Sequence, residues 1–335
     1  MRSPDHWWHD PETPGLAARL LSPLGALYAA GTARRLARGT AYRPGVPVIC
    51  VGNLTAGGTG KTPAVIALAE RLLAGGWSPA AVSRGHGGRL EGPVAVDPAR
   101  HKAADVGDEP LLLSAFLPVT VARDRAAGAR AGAAAGANVL LLDDGFQNPS
   151  VAKDLSLIVV DAATGFGNGR PIPAGPLREP VGTGLARAHL VLSIGPAPAR
   201  ATFREIWGTR LGRPLVEAEL TPLRTGMDWH GVRVLAFAGI GRPEKFFATL
   251  RDLGADVVRA VPLADHQPLS DRLLTRILGE AAARGLQPVT TEKDAVRLPQ
   301  HLRARILTLP VRLRVATGDA ALSAALAALP KPRPG

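Results

Sequence analysis

The first regular pattern in the chain is helical. Leu16, Leu20, Leu24 and Leu27 recur at steps of four, four and three, which puts them on one face of a helix over about 15–38. Arg34, Arg35 and Arg38 follow as a basic cluster. Arg19, Ser22 and Pro23 interrupt the apolar run, so a bilayer-spanning helix is not expected. The preceding segment carries Asp5, Asp10 and Glu12, the wrong sign for a secretory signal. Two readings stay open here. The helix packs on the body of the protein, or it lies in a membrane interface with its arginines on anionic lipid.

From Val46 the period changes. PVICVGN (47–53), SPAAVSRG (78–85), LPVTVAR (117–123), NVLLLDDG (138–145), LSLIVVDA (155–162) and AHLVLSIG (188–195) are short apolar runs that read as strands. Helix-length segments separate them, which predicts right-handed crossovers and a mostly parallel sheet. Residues 212–232 read as a short β linker. A second series follows, with strands in 234–240, 256–263, 288–293 and 303–313, a helix over 243–253 and a last apolar helix over 318–329. The expected fold class is α/β. The expected division is an N-terminal helical segment (1–44), a first α/β domain (45–211), the linker (212–232) and a smaller α/β domain (233–335).

Composition narrows the class. Hydrophobic residues make up 46% of the 335, enough for two cores, and the lone Cys50 cannot form an internal disulfide, which suits a reducing compartment. The net charge of +12 permits a phosphorylated substrate, anionic lipid or nucleic acid. Only six of the 40 basic residues are Lys, so part of the charge follows from an Arg-rich composition. Aromatics at 4% are too sparse for base-stacking platforms, and no nucleic-acid motif is present, so nucleic acid is not expected as a partner.

The strongest local signal is TAGGTGKTP (55–63), between a strand and a helix. Gly57, Gly58 and Gly60 let backbone N–H groups approach phosphate oxygens, and the helix N-terminus adds partial positive charge. Thr55 and Thr59 complete the loop. Lys61 is placed to meet the β- and γ-phosphates of a nucleotide and Thr62 to ligate Mg²⁺. The common phosphate loop has Gly where this chain has Thr55. The run is closer to the GG-x-G-K-[ST] variant of partition-type ATPases, but it lacks the Lys that those carry before the glycines.

Asp143 and Asp144 end an apolar strand, where a carboxylate beside a phosphate loop holds Mg²⁺, although a cap or a turn would use the same residues. Asp108 and Glu109 in VGDEP (106–110) are possible N-caps. Asp265 and His266 follow a strand and could serve a phosphoryl acceptor as base or base-orienter. Arg178 and Glu179 sit in a Pro-rich loop (170–180) suited to anions.

These motifs together resemble the tetraacyldisaccharide 4′-kinases of lipid A biosynthesis. The match runs in order through PLGALY (23–28), VGNLTAGGTGKTP (51–63), SRGHGG (83–88), VGDEP (106–110), LLDDGFQN (141–148), GNGRPIPAGPLRE (167–179), FAGIGRPEKFF (237–247), DHQ (265–267) and TTEKDAVRL (290–298). The resemblance implies a P-loop NTPase-like domain and a smaller α/β domain, joined by a two-stranded β linker, with a membrane-associated N-terminal helix. It implies transfer of the γ-phosphate of ATP to the 4′-hydroxyl of tetraacyldisaccharide 1-phosphate, giving lipid IVA. ATP and Mg²⁺ are the implied cofactors. The implied setting is a monomer on the cytoplasmic leaflet of the inner membrane. Carried over by position, Lys61, Thr62 and Arg178 belong to the nucleotide, and Thr62, Asp143, Asp144 and Glu179 to the metal. Asp144 also lies at the γ-phosphate. Asp108 becomes the base for the sugar hydroxyl, oriented by His266. Two positions depart from the family pattern. Asn148 stands where His is usual, and His86 where an aromatic is common.

Overall fold

The computed structural model describes residues 3–265 and 267–330. Thirteen strands are found among them: β1 (Val48–Gly52), β2 (Pro79–Ser83), β3 (Val94–Ala95), β4 (Val119–Val121), β5 (Val139–Asp143), β6 (Leu155–Asp161), β7 (Leu190–Ile194), β8 (Leu215–Pro222), β9 (Arg233–Ala238), β10 (Asp256–Pro262), β11 (Gln287–Thr291), β12 (Leu307–Leu309) and β13 (Val311–Thr317). The six runs read as strands up to residue 195 are strands.

β1, β2, β5, β6 and β7 are buried at every position, as parallel strands covered on both faces must be. Successive residues alternate between two cores. Ile49, Val51, Leu141 and Leu157 face the helix Lys61–Ala74, whereas Cys50, Leu140, Leu142 and Ile158 join Phe146 and Phe166 on the other side. Burial pushes the Cys50 thiol up to about 12, so it behaves as a small apolar side chain. The sheet runs β13-β8-β7-β6-β1-β5-β2-β4-β3, parallel except for the edge strands β3 and β13. β1 is therefore flanked by β5 and β6. A second sheet, β10-β9-β11-β12, is wholly parallel.

Two expectations from the sequence change. The run 303–313 is not one strand. Pro310, which has no N–H for a ladder, separates β12 in the small sheet from β13 in the large one. The helix Asp319–Ala327 follows β13 back, and Leu322 and Leu329 enter the core of the large sheet. The chain thus leaves the large sheet after β8 and returns at β13, so residues 311–329 pack with the first unit. Likewise β8, within 212–232, extends the large sheet beside β7 while pairing antiparallel with β13.

The helix Gly15–Arg38 is seated by its small residues. Ala18, Gly25 and Thr32 are buried, and a Cβ on Gly25 would lie 2.9 Å from the Pro171 carbonyl oxygen. Its leucine row faces outward, with Leu16, Leu20, Leu24 and Leu27 between 54% and 73% exposed. Among the described residues no helix is long and apolar enough to cross a membrane.

Candidate active site

The phosphate loop leaves the C-terminal end of β1. Buried Asn53 shapes it from within, donating through Nδ2 to the carbonyls of Thr55 (2.8 Å) and Gly57 (3.2 Å). Gly57 (φ +116°) and Gly60 (φ +89°) hold left-handed conformations that side chains rarely adopt, and Gly60 leads directly into the helix that starts at Lys61. Nothing approaches the positions a Cβ would take on Gly57 and Gly58, so a phosphate can come against the backbone there. Thr55 and Thr59 are buried in the loop, and Thr62 in the first turn of the helix. The Pro-rich loop lies against it. The Ala56 N–H donates to Pro176, and the Arg178 N–H to Leu54, each at 2.7 Å.

The carboxylates arrive by strand register. β5 pairs with β1 so that Asp143 lies opposite Val51. Asp144 follows with φ +52°, the one non-glycine positive φ among the described residues, a conformation that recurs at functional sites. Lys61 Nζ is 3.7 Å from Asp144 Oδ1, and Arg178 grips both Asp144 oxygens at 2.9 and 3.4 Å. Burial raises the Asp144 carboxyl, but Lys61 and Arg178 together outweigh it and hold the group below the usual carboxylate range.

Asp143 has the opposite character. It is buried, and Ser83 Oγ donates to its Oδ2 at 3.3 Å. Its Oδ1 is buried with no hydrogen-bond partner. Burial pushes the Asp143 carboxyl up to about 7, with Glu109 adding to the rise and Lys61 opposing it. Arg125 lies behind the pair, donating to the carbonyls of Asp143 (3.3 Å) and Ala122 (3.0 Å).

An unpartnered carboxylate oxygen beside a second carboxylate suits a hard cation that takes oxygen ligands. Among the described residues no group of three or more His, Cys, Asp or Glu side chains is arranged to hold a metal ion by itself. Glu179 is fully buried but differently employed. One oxygen accepts from Gln147 at 2.9 Å, and the other pairs with Arg187. Gln147 in turn accepts from Arg178 at 3.3 Å.

Asp108 stands on a separate helix, next to Glu109, whose charge acts on Asp143. Gly107 (φ +92°) turns the chain into the helix Asp108–Leu113, passing so near the His86 carbonyl that a Cβ would lie 2.6 Å from it. Asp108 is thus the first residue of the helix rather than its N-cap. It is buried, and its Oδ1 accepts the Glu109 N–H at 3.0 Å. The small sheet reaches the same place. Lys293 Nζ comes within 3.3 Å of Glu109, 3.8 Å of Asp265 and 4.0 Å of Asp108. His266 lies outside the described residues.

The structure brings the phosphate loop, Asp143, Asp144 and Arg178 together, and it links Asp108 to Lys293 of the small unit. Sequence reasoning missed Ser83, Arg125, Gln147, Arg187 and Lys293 as contributors. Lys293 and Gln147 lay inside runs already singled out, but no spacing rule assigns them partners in distant segments. Asn148 closes its own turn, accepting from the N–H and hydroxyl of Ser150 at 2.8 and 2.6 Å.

A family model described as tetraacyldisaccharide-1-P 4′-kinase matches residues 17–330. The chain belongs to that family. Proteins named tetraacyldisaccharide 4′-kinase from Dinoroseobacter shibae and Jannaschia sp. are 64% and 61% identical to it. The first alignment covers 97% of both chains; the second covers 94% of this chain and 95% of the relative. A crystal structure of LpxK from Aquifex aeolicus in complex with ATP has the same fold, with a TM-score of 0.74 and 24% identity. It covers 93% of this chain and 99% of that one. Membership makes the chain an enzyme, a kinase, and accounts for a phosphate loop at the centre of its large sheet.

Proposed function

We propose that the chain transfers the γ-phosphate of ATP to the 4′-hydroxyl of tetraacyldisaccharide 1-phosphate, giving ADP and lipid IVA in lipid A biosynthesis. The observation that carries this reading is a phosphate loop held beside paired carboxylates, with a buried carboxylate that the small sheet contacts nearby. Lys61 of the loop lies 3.7 Å from Asp144, and buried Asp108 has Lys293 as its small-sheet partner. Family membership and the names of the relatives supply the acceptor.

The loop N–H groups and Lys61 bind and orient the nucleotide phosphates. Thr62, Asp143 and Asp144 would hold Mg²⁺, which supplies charge that neutralises the oxygens of the transferring phosphoryl group. Arg178 keeps Asp144 ionised and aimed. Glu179, with both oxygens taken, serves as the anchor for Gln147 and Arg187 behind that pair. Asp108 accepts the proton of the attacking 4′-hydroxyl, with His266 orienting it. Positioning and charge do most of the work, because phosphoryl transfer asks little covalent chemistry of the protein. The antiparallel pair β8–β13 forms the connection about which the small unit closes.

The outward leucine row and the exposed Arg34, Arg35 and Arg38 fit an interfacial helix on anionic lipid at the cytoplasmic face of the inner membrane. The helix is tied to the Pro-rich loop by Arg170, which donates to Ser22 at 2.7 Å, and the turn before the helix by Trp7, which donates to the Pro173 carbonyl at 3.0 Å. A monomer suffices for this arrangement. Detergent-solubilised protein with γ-labelled ATP, Mg²⁺ and the tetraacyl lipid should place label in the lipid, and Asp108→Ala should slow it by ~10³-fold. Intact ATP binding without lipid label overturns the acceptor assignment. Replacing the four leucines by serine should abolish sedimentation with anionic vesicles; retained sedimentation overturns the membrane reading.

A further inference from the structure

We infer that Lys293 is a positioning residue for Asp108, supplied by the helix that follows β11 of the small sheet; this rests on Asp108 acting as the base. The evidence begins with how Lys293 is mounted. It belongs to the short helix Glu292–Ala295, which follows β11. On one side, Glu292 accepts from Arg312 Nη1 at 3.0 and 3.1 Å and from the Val311 N–H at 3.1 Å. On the other, Asp294 is fully buried, accepts from the Gly239 N–H (3.0 Å) and Thr291 Oγ1 (2.7 Å), and pairs with Arg297. Glu292 ties the helix to β13, and Asp294 ties it to the small sheet. Lys293 lies between these pins and reaches the large unit.

What it reaches is an acidic corner. Glu109, Asp265 and Asp108 all lie within 4.0 Å of Nζ, and Glu109 is close enough to Asp143 for its charge to act there. A triphosphate adds further negative charge. An exposed lysine pair contributes little. Here Asp108 is only 4% exposed, and a buried carboxylate stripped of its cation is costly. Lys293 offsets the charge that Glu109 and Asp265 place beside Asp108 and holds its carboxylate in place. A compact ammonium can serve three carboxylates at once, which a planar guanidinium does less well. Because Lys293 travels with the small sheet, Asp108 is fully set only when the two units are together.

The test is a double-mutant cycle in the detergent lipid-kinase assay, with wild type, Lys293→Gln, Lys293→Arg, Asp108→Asn and the Lys293→Gln/Asp108→Asn double variant. Lys293→Gln should lower kcat by ~100-fold and leave KM for ATP within about twofold, and Lys293→Arg should recover at least about a tenth of wild-type kcat. In the Asp108→Asn background, Lys293→Gln should cost nothing more, because the two act as one unit. Full multiplication of the two losses overturns the inference, as does wild-type turnover of Lys293→Gln beside a crippled Asp108→Asn. An active Asp108→Asn overturns the base assignment instead. Should Lys293→Gln lose its thermal transition, Lys293→Met replaces it in the same cycle and is read by the same two criteria.

Discussion

The two sheets meet at the site in different ways. On the large sheet, Asp143 ends β5, Lys61 and Thr62 open the helix after the loop that leaves β1, and the ladder between β1 and β5 sets those two strand ends side by side. Those strands are buried at every position, so their geometry is as rigid as the core. The small sheet contributes through side-chain charges instead. Lys293 reaches Asp108 and Glu109, while Lys245 and Arg242 meet Asp161 at the end of β6, at 2.9 and 3.4 Å. Its edge strand β10 is nowhere buried. The nucleotide half is built in advance by backbone pairing. The contact with the small sheet is made by ion pairs, which part more readily than a buried backbone ladder.

That contrast can be broken from either side. The largest effect is expected at Lys61. Lys61→Ala should lower kcat/KM for ATP by ~10³-fold without changing the melting temperature, since the loop backbone is shaped by Asn53 and glycines. A loss of stability instead would mean that the loop is not prebuilt.

Asp143 should show itself in stability. Its native carboxyl keeps a proton to about pH 7, whereas in the unfolded chain it loses that proton near about 4. Between those values the native state binds more protons, so stability in EDTA without nucleotide should fall by a few kcal/mol as pH rises from 4 through 7. Below that window the contribution is fully present. Asp143→Asn should flatten this part of the curve in denaturant titrations; an unchanged slope would assign it elsewhere.

The smallest effect belongs to the contact between units. Lys245 is half-exposed, so Lys245→Ala should cost at most about 1 kcal/mol of stability. Its turnover should fall several-fold at low salt and converge with wild type at high salt. Salt-independent loss would show that Lys245 does more than hold the units together.

Asp143 and Asp144 show where reading from sequence ran out. Both were legible as a strand-end pair beside a phosphate loop, but their division of labour was not. It depends on Arg178, which lies 34 residues away, and on Ser83, 60 residues before Asp143. Glu179 was legible as a site residue by resemblance, yet its partners Gln147 and Arg187 come from separate segments. The same holds for the end of the chain. The apolar patterns of β12 and β13 were visible, but not that Pro310 sends them to different sheets.

By itself the sequence determined the elements and the nucleotide chemistry, because both are local. A strand is legible in its period, and a phosphate loop needs nine consecutive residues between strand and helix. Tertiary structure decided which face of the first helix looks outward, which sheet receives the last strand, and which charges meet Asp108. Those outcomes depend on contacts between distant segments, where burial and charge balance are set by residues that no local window contains together.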